Sequence, residues 1–216
     1  MKQRSPIVFV VDDDEAVRNS LRLLVKSIGL AATPLASAQE FLATYDQLQP
    51  GCLVLDVRMP GMSGLELQQQ LNLRGAVIPV IFITGHGDIP MAVEVMQQGA
   101  FDFLQKPFRD QDLIDRIHRA LEKDLANRAE LGERSRIRER HDTLTPRERE
   151  VLALVTSGKL NKVMAAELGL SQRTVEIHRA RVMEKMRASS LAHLVRMVLD
   201  LEEGGGPGAT KSASAS

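Results

Sequence analysis

The chain has 216 residues, 44% of them apolar, 26% charged and 3% aromatic, with 28 basic against 28 acidic side chains. That length accommodates one domain or two small ones, and the balanced charge excludes a protein that coats nucleic acid through a uniformly basic surface. The single cysteine, Cys52, excludes an internal disulfide framework and a cysteine-rich zinc site, and suits a reducing compartment.

The first apolar run, Ile7–Val11, ends on three aspartates. A secretory segment needs ~7–15 apolar residues and a membrane span ~20. Neither pattern occurs anywhere in the sequence, so a cytoplasmic protein without membrane attachment is expected.

Short buried-strand runs then alternate with helical patterns through the first ~120 residues, an α/β signature. After the strand Ile7–Val11 comes a helix with Val17, Leu21, Leu24 and Ile28 on one stripe. A weakly marked strand falls at Ala31–Pro34. Ser37 with Glu40 three residues later reads as a capping box for a helix carrying Phe41, Leu42 and Tyr45. Cys52–Leu55 is a strand ending on Asp56, Arg58-Met59-Pro60-Gly61 a loop, and Leu65–Leu71 a helix. Val77–Ile83 is a buried strand ending on Thr84, and Met91–Gln98 a helix stopped by Gly99. A short strand at Phe101–Leu104 follows, then a helix capped by Asp110 with Leu113, Ile114, Ile117 and Leu121.

From Glu122 to Asp142 the chain turns charged, with Arg134, Arg136, Arg138 and Arg140. This predicts an exposed, partly helical linker over 122–142 that contains a domain boundary. Beyond it no strand pattern remains: four helices are expected, starting at Thr145, Asn161, Ser171 and about Ser189, over 143–203. Thr145-Pro146-Arg147-Glu148 combines an N-cap, a proline at the first helical position and a capping-box glutamate. Residues 204–216, rich in Gly, Ser and Ala, are expected to be disordered.

In a parallel α/β sheet the residues following the strands converge on one edge. Here these are Asp12 and Asp13, Asp56, Thr84 and Lys106. Three carboxylates gathered together repel one another unless a cation sits among them, and their hard oxygens suit Mg²⁺. With Lys106 as fixed positive charge and Thr84 as hydroxyl, the set suits a phosphoryl group, one aspartate acting as nucleophile. Singly, each residue admits a plainer role, such as the helix cap expected of Asp14; their combination at four strand ends is what points to a site.

Four stretches, Val11–Asp14, Leu55–Gly64, Phe82–Asp88 and Lys106-Pro107-Phe108, together resemble the receiver domain of two-component response regulators over about residues 5–121. The resemblance implies a doubly wound, flavodoxin-like, five-stranded parallel sheet and a receiver domain over 1–121. It implies that Asp56 accepts a phosphoryl group from a sensor histidine kinase, with Asp13, Asp56 and the Arg58 backbone carbonyl holding Mg²⁺ and Asp12 completing the acidic pocket. Lys106 would pair with the acyl phosphate and Thr84 would swing toward it. Phe103 matches the family's switch aromatic, although the sequence equally admits a plain core residue. Lys106-Pro107 resembles the family's cis peptide.

Asn161–Leu168, a turn at Gly169-Leu170 and Ser171–Met186 form a helix-turn-helix pattern. Val175, His178, Val182 and Met186 make the buried stripe of its second helix, His178 being expected as a packed or capping residue. Residues 171–187 carry five basic and two acidic side chains, which suits phosphate contacts flanking a base-reading centre. The segment Leu144–Leu152 with Asn161-Lys162, Thr174–His178 and Met183–Met186 resembles the LuxR-type four-helix DNA-binding domain, and the whole chain resembles the FixJ-like branch of response regulators. Expected DNA contacts are Lys162, Arg173, Thr174, Glu176, Ile177, Arg179, Ala180, Arg181 and Lys185. A glutamate at position 176 disfavours guanine and suits cytosine N4.

The resemblance therefore implies a phosphorylation-dependent transcriptional regulator that binds double-stranded promoter DNA, contacts RNA polymerase and forms a homodimer when phosphorylated. It would accept a phosphoryl group without being an enzyme in the ordinary sense. Relief of masking is an alternative to dimerisation. A competing reading is a Mg²⁺-dependent phosphohydrolase with an aspartyl-phosphate intermediate, which gives the C-terminal helices no role. The neutral total conceals an asymmetry: residues 1–121 carry a net −3 and residues 122–216 a net +3.

Overall fold

A computed structural model describes residues 4–85 and 89–203, and the chain divides into two compact units at Ala129–Glu130. The first unit alternates strands and helices: β1 (Ile7–Val11), α1 (Glu15–Ser27), β2 (Ala31–Leu35), α2 (Ala38–Thr44), β3 (Gly51–Asp56), α3 (Gly64–Leu73), β4 (Val80–Thr84), α4 (Ile89–Gln97), β5 (Asp102–Gln105) and α5 (Asp110–Asp142), the last continuing into the second unit. The second unit adds α6 (Pro146–Thr156), α7 (Asn161–Leu168), α8 (Gln172–Met186) and α9 (Leu191–Glu203).

The strands form one parallel sheet in the order β2-β1-β3-β4-β5. Side chains on a strand alternate between faces, and the sequence uses both. Val8, Val10, Cys52, Val54, Ile81 and Ile83 pack with Leu21 and Val25 of α1 and Leu113 and Ile117 of α5. Phe9, Val11, Leu53, Leu55, Val80 and Phe82 pack with Phe41 of α2, Leu67 and Leu71 of α3 and Val95 of α4. Burial on both faces is why the central strands read as unbroken apolar runs. β2 is an edge strand, which lets it hold Pro34, a residue that cannot donate to the ladder.

The expected elements are all present, with shifted ends. Pro79 lies before β4, which begins at Val80, and β5 begins at Asp102 rather than Phe101. Asp110 is the first residue of α5, where a preceding cap was expected. Ser37 accepts from the Glu40 amide as predicted, but the Glu40 carboxylate turns back one residue further, to the Ala36 amide, so the box is not closed on Ser37. Asp14 does cap α1, accepting from Ala16 and Val17.

The segment 122–142 departs most from expectation. It is helical throughout, and it is not uniformly exposed: Asp124 is 1% exposed and Ile137 2% exposed. Asp124 accepts from the Gly51 amide at 2.9 Å, while Arg128 donates to the carbonyls of Gln47 and Gln49. Ile137 joins the core of the second unit with Leu144, Val151, Val155, Met164, Val175, Val182, Met186 and Leu194. There the capping box of Thr145 and Glu148 is closed in both directions, with Pro146 in the first turn. The expected tail, 204–216, lies outside the described residues.

Candidate functional site

The order of the sheet reverses between β1 and β3, so the ends of these two strands flank the switch point where doubly wound folds bind ligands. Asp12 directly follows β1 and Asp56 ends β3, and both are buried. Lys106, just past β5, reaches both: its Nζ donates to Asp12 Oδ2 at 2.8 Å and to Asp56 Oδ1 at 3.1 Å. The Lys106–Pro107 peptide bond is cis. The Lys106 amide also donates to the Thr84 carbonyl at 2.8 Å, which ties the lysine to the end of β4.

The remaining carboxylate oxygens are held by backbone. Asp12 Oδ1 accepts from the Asp14 amide at 2.9 Å, and Asp56 Oδ2 from the Arg58 amide at 2.8 Å. Burial raises the Asp56 carboxyl above the usual carboxylate range, against the lowering effect of Lys106 and the Arg58 amide. Lys106 is itself partly desolvated, which lowers it, but the two carboxylates together outweigh this and hold it above its ordinary value. Asp13 differs: it is exposed, and among the described residues its carboxylate has no partner.

The structure therefore brings Asp12, Asp56 and Lys106 together, with Thr84 buried at the adjoining strand end. It does not gather three carboxylates into a finished metal cage: among the described residues no group of three acidic, histidine or cysteine side chains is so placed. Lys106 stands between two of the expected three. The donor chemistry nevertheless fits Mg²⁺, which takes one or two carboxylates and keeps several waters. Two carboxylates against one ammonium leave the cluster with an excess of negative charge.

Two residues without an assigned role in the sequence matter here. Gly64, the first residue of α3, lets the helix start against β3: a Cβ built there would lie 2.3 Å from the Asp56 carbonyl oxygen. Arg18 of α1 donates from Nη1 to the Asp12 carbonyl at 2.6 Å. Glycine at 64 stood within the recognised motif and could have been singled out; Arg18, bonded to a main-chain oxygen, had no sequence signal. Phe103 is half-buried, aligned with Phe82 across β4 and β5, and packs on the core shared with α2, α3 and α4. His86, Gly87 and Asp88 of the motif after β4 lie outside the described residues.

In the second unit, α7 ends at Gly169 in the left-handed conformation with φ of 65°, and Ser171 caps α8 through the Thr174 amide. Gly169 makes the tight turn of a helix-turn-helix. Val175, Val182 and Met186 are buried as predicted, and His178 is half-buried. Lys162, Arg173, Glu176, Ile177, Ala180 and Arg181 are exposed. Thr174 is half-buried, its hydroxyl sharing a hydrogen bond with that of Ser171. Two further expected contacts have internal partners: Arg179 donates to Asn161 Oδ1 at 3.1 Å, and the Lys185 ammonium meets Glu148 Oε2 at 2.6 Å. Lys185, its side chain 34% exposed, is thus tied to the buried Glu148, and Arg179 to packing α8 against α7.

Comparison with known proteins agrees with this geometry. Residues 8–118 match the family described as response regulator receiver domain, and residues 142–198 that described as bacterial regulatory proteins, luxR family. The chain is 51% identical over 191 residues to nodulation protein W of Bradyrhizobium diazoefficiens, covering 88% of this chain and 84% of that protein. It is 50% identical over 192 residues to the transcriptional regulatory protein FixJ of Azorhizobium caulinodans, covering 89% and 91%. Among solved structures it is similar to the response regulator StyR, with a TM-score of 0.78 at 46% identity, over 90% of this chain and 98% of that one.

Proposed function

The chain belongs to the FixJ-like response regulators, transcription regulators of two-component systems that join a receiver to a LuxR-type DNA-binding domain, and from that premise we propose that Asp56 is its phosphoryl acceptor. The observation that carries the reading is the shared lysine: Lys106 lies within 3.1 Å of Asp56 and 2.8 Å of Asp12 at the switch point of the sheet. A receiver implies a sensor kinase as donor. An oxygen of Asp56 would bond to phosphorus as the nitrogen–phosphorus bond of the kinase phosphohistidine breaks, the electron pair returning to the imidazole.

Lys106 would then exchange a carboxylate for a phosphoryl oxygen, and the Thr84 hydroxyl would engage another. Receiver domains bind Mg²⁺ for phosphorylation; here Asp13, Asp56 and the Arg58 carbonyl would hold it, with Asp12 beside them, and it would supply neutralisation of the phosphoryl charge. Turning of Phe103 into the core would carry the change to the face formed by α4, β5 and α5. We infer that this face pairs two phosphorylated receivers in the cytoplasm and brings two helix-turn-helix units onto promoter half-sites, where the protein meets RNA polymerase. Exposed Arg173, Arg181 and Lys162 are suited to phosphates, and Glu176, Ile177 and Ala180 to base edges.

The test is to follow mass and promoter binding with and without beryllofluoride, an acyl-phosphate mimic, in the wild type and in Asp56→Asn. The expected result is a Mg²⁺-dependent shift from monomer to dimer with tighter DNA binding, absent in the variant. A monomer in both states overturns dimerisation, and an unchanged response in Asp56→Asn overturns the acceptor assignment.

A further inference from the structure

We propose that Arg18 is a positioning residue for the acidic pocket: it fixes the loop between β1 and α1 so that Asp12 and Asp13 face a divalent cation. The proposal rests on the reading of that pocket as a cation site. The sheet ladder ends at Val11, paired with Leu35 and Leu55, so the Asp12 carbonyl lies beyond the last regular strand pairing. The Arg18 guanidinium takes that carbonyl at 2.6 Å from one turn into α1, with its own amide bonded back to the Asp14 carbonyl at 3.0 Å. A hydrogen bond from a charged donor is shorter and about twice as strong as a neutral one.

Lys106 on Asp12 Oδ2 at 2.8 Å and the Asp12 amide on the Leu35 carbonyl at 3.4 Å hold the loop to the sheet, and further bonds hold it toward α1. Asp12 Oδ1 takes the Asp14 amide, Asp14 Oδ1 takes the Ala16 amide at 2.8 Å, and Arg18 takes the Asp12 carbonyl. The first two bonds belong to the loop and the start of the helix. Among the described residues, only Arg18 ties the loop to the second turn of α1. Asp13, with no partner among the described residues, depends for its direction on the backbone between 12 and 14, which is the stretch that Arg18 anchors. Outer partners that orient metal-binding groups in this way are typically worth ~10–100-fold in affinity.

An opposite effect makes the inference testable. As a fixed positive charge near the pocket, Arg18 repels a divalent cation, so a role through charge alone predicts tighter binding when it is removed. A role through positioning predicts weaker binding.

The experiment is calorimetric titration of Mg²⁺ into the full chain, for wild type, Arg18→Gln, Arg18→Lys and Asp13→Asn, with thermal unfolding in chelator for each. Expected are binding by the wild type, a Kd raised about tenfold in Arg18→Gln, and an intermediate Kd in Arg18→Lys, which keeps the charge and one donor. Hydrogen exchange of the Asp14 amide, which Asp12 Oδ1 holds, should quicken in Arg18→Gln. An unchanged or lower Kd in Arg18→Gln with a reduced Tm overturns the proposal, since it leaves only a structural role. Should that variant fail to fold, a wild-type Kd in Arg18→Lys, whose shorter side chain cannot reproduce the 2.6 Å contact, does the same. A wild type that binds no Mg²⁺ overturns the reading of the site and the proposal with it, whereas equal binding by wild type and Arg18→Gln overturns the proposal alone.

Discussion

Glu148 of α6 and Lys185 of α8, 37 residues apart, form an ion pair at 2.6 Å in which the carboxylate is almost wholly buried. Glu148 Oε2 also accepts from the Thr145 amide at 2.9 Å, so one oxygen both closes a helix cap and fastens the recognition helix to α6. The hydrogen bond from Lys185, then that from the Thr145 amide, holds the Glu148 carboxyl below its ordinary range. A depressed carboxyl contributes stability that is complete above its unfolded pKa of about 4.3 and is lost as pH falls through the folded value. The stability difference between wild type and Glu148→Gln, from thermal unfolding, should therefore be constant above about pH 5.5 and shrink below about pH 4.

The same pair predicts that Lys185→Met weakens DNA binding mainly by loosening the domain. Loss of the charged hydrogen bond to Glu148 should lower stability by about 2 kcal/mol. The slope of binding against salt concentration should stay close to that of the wild type. A change in slope with unchanged stability would return Lys185 to the DNA interface.

Asp124 and Arg128 form a buried counterpart in the first unit. Asp124 Oδ2 accepts from Arg128 Nε at 2.7 Å and from the Gly51 amide at 2.9 Å, at the end of β3 opposite Asp56. Asp124→Ala leaves a buried amide and a half-buried guanidinium without their acceptor and should cost about 3 kcal/mol in the unfolding of the first unit. Asp124→Asn keeps an acceptor oxygen and should cost less. The double variant with Arg128→Ala should fall well short of the sum of the two single losses, because both changes break one network.

These pairs also mark where the sequence stops being legible. Central strands announce themselves because both faces are buried, as with Cys52–Leu55, and Thr145 with Glu148 announces a helix because both residues are local. Asp12, Asp56, Thr84 and Lys106 are legible because strand ends in a parallel sheet share an edge. Arg18 is not, and neither is the burial of the Asp124–Arg128 pair: four residues apart the two could pair on any exposed helix, and the carbonyls and amides that bury them leave no mark on residue identity. The arginine-rich run after Glu122 reads as solvated linker for that reason, although its first turns are bolted to the loop before β3. Lys185 misleads because a basic residue on a recognition helix looks alike whether it meets phosphate or a glutamate 37 residues away.

On the recognition helix, charge and specificity should separate. Arg173 and Arg181 are exposed and have no internal partner among the described residues, so replacing either with alanine should weaken binding uniformly across sequences. Removing one phosphate-neutralising side chain should reduce the slope of log K against log salt by about 0.9. Glu176→Gln should instead change which base is preferred at one position, with little effect on the slope. Arg179→Ala should lower stability as well as affinity, because Arg179 also holds Asn161.

Two glycines provide the last contrast. At Gly64 an added methyl would lie 2.3 Å from the Asp56 carbonyl oxygen and 3.0 Å from the Phe82 ring, and neither neighbour is a flexible chain end. Gly64→Ala must push α3 away from β3 or displace Asp56, at a cost of about 1–3 kcal/mol. Gly132 lies in the middle of α5, where a Cβ would meet nothing within 4 Å. Gly132→Ala should raise stability by about 0.5–1 kcal/mol, since glycine loses the most freedom in a helix. Phosphorylation by a small acyl-phosphate donor, followed by intact-mass measurement, should be slowed in Gly64→Ala and unchanged in Gly132→Ala. If Gly64→Ala loses stability but keeps its rate, the close approach of α3 serves packing alone and does not position Asp56.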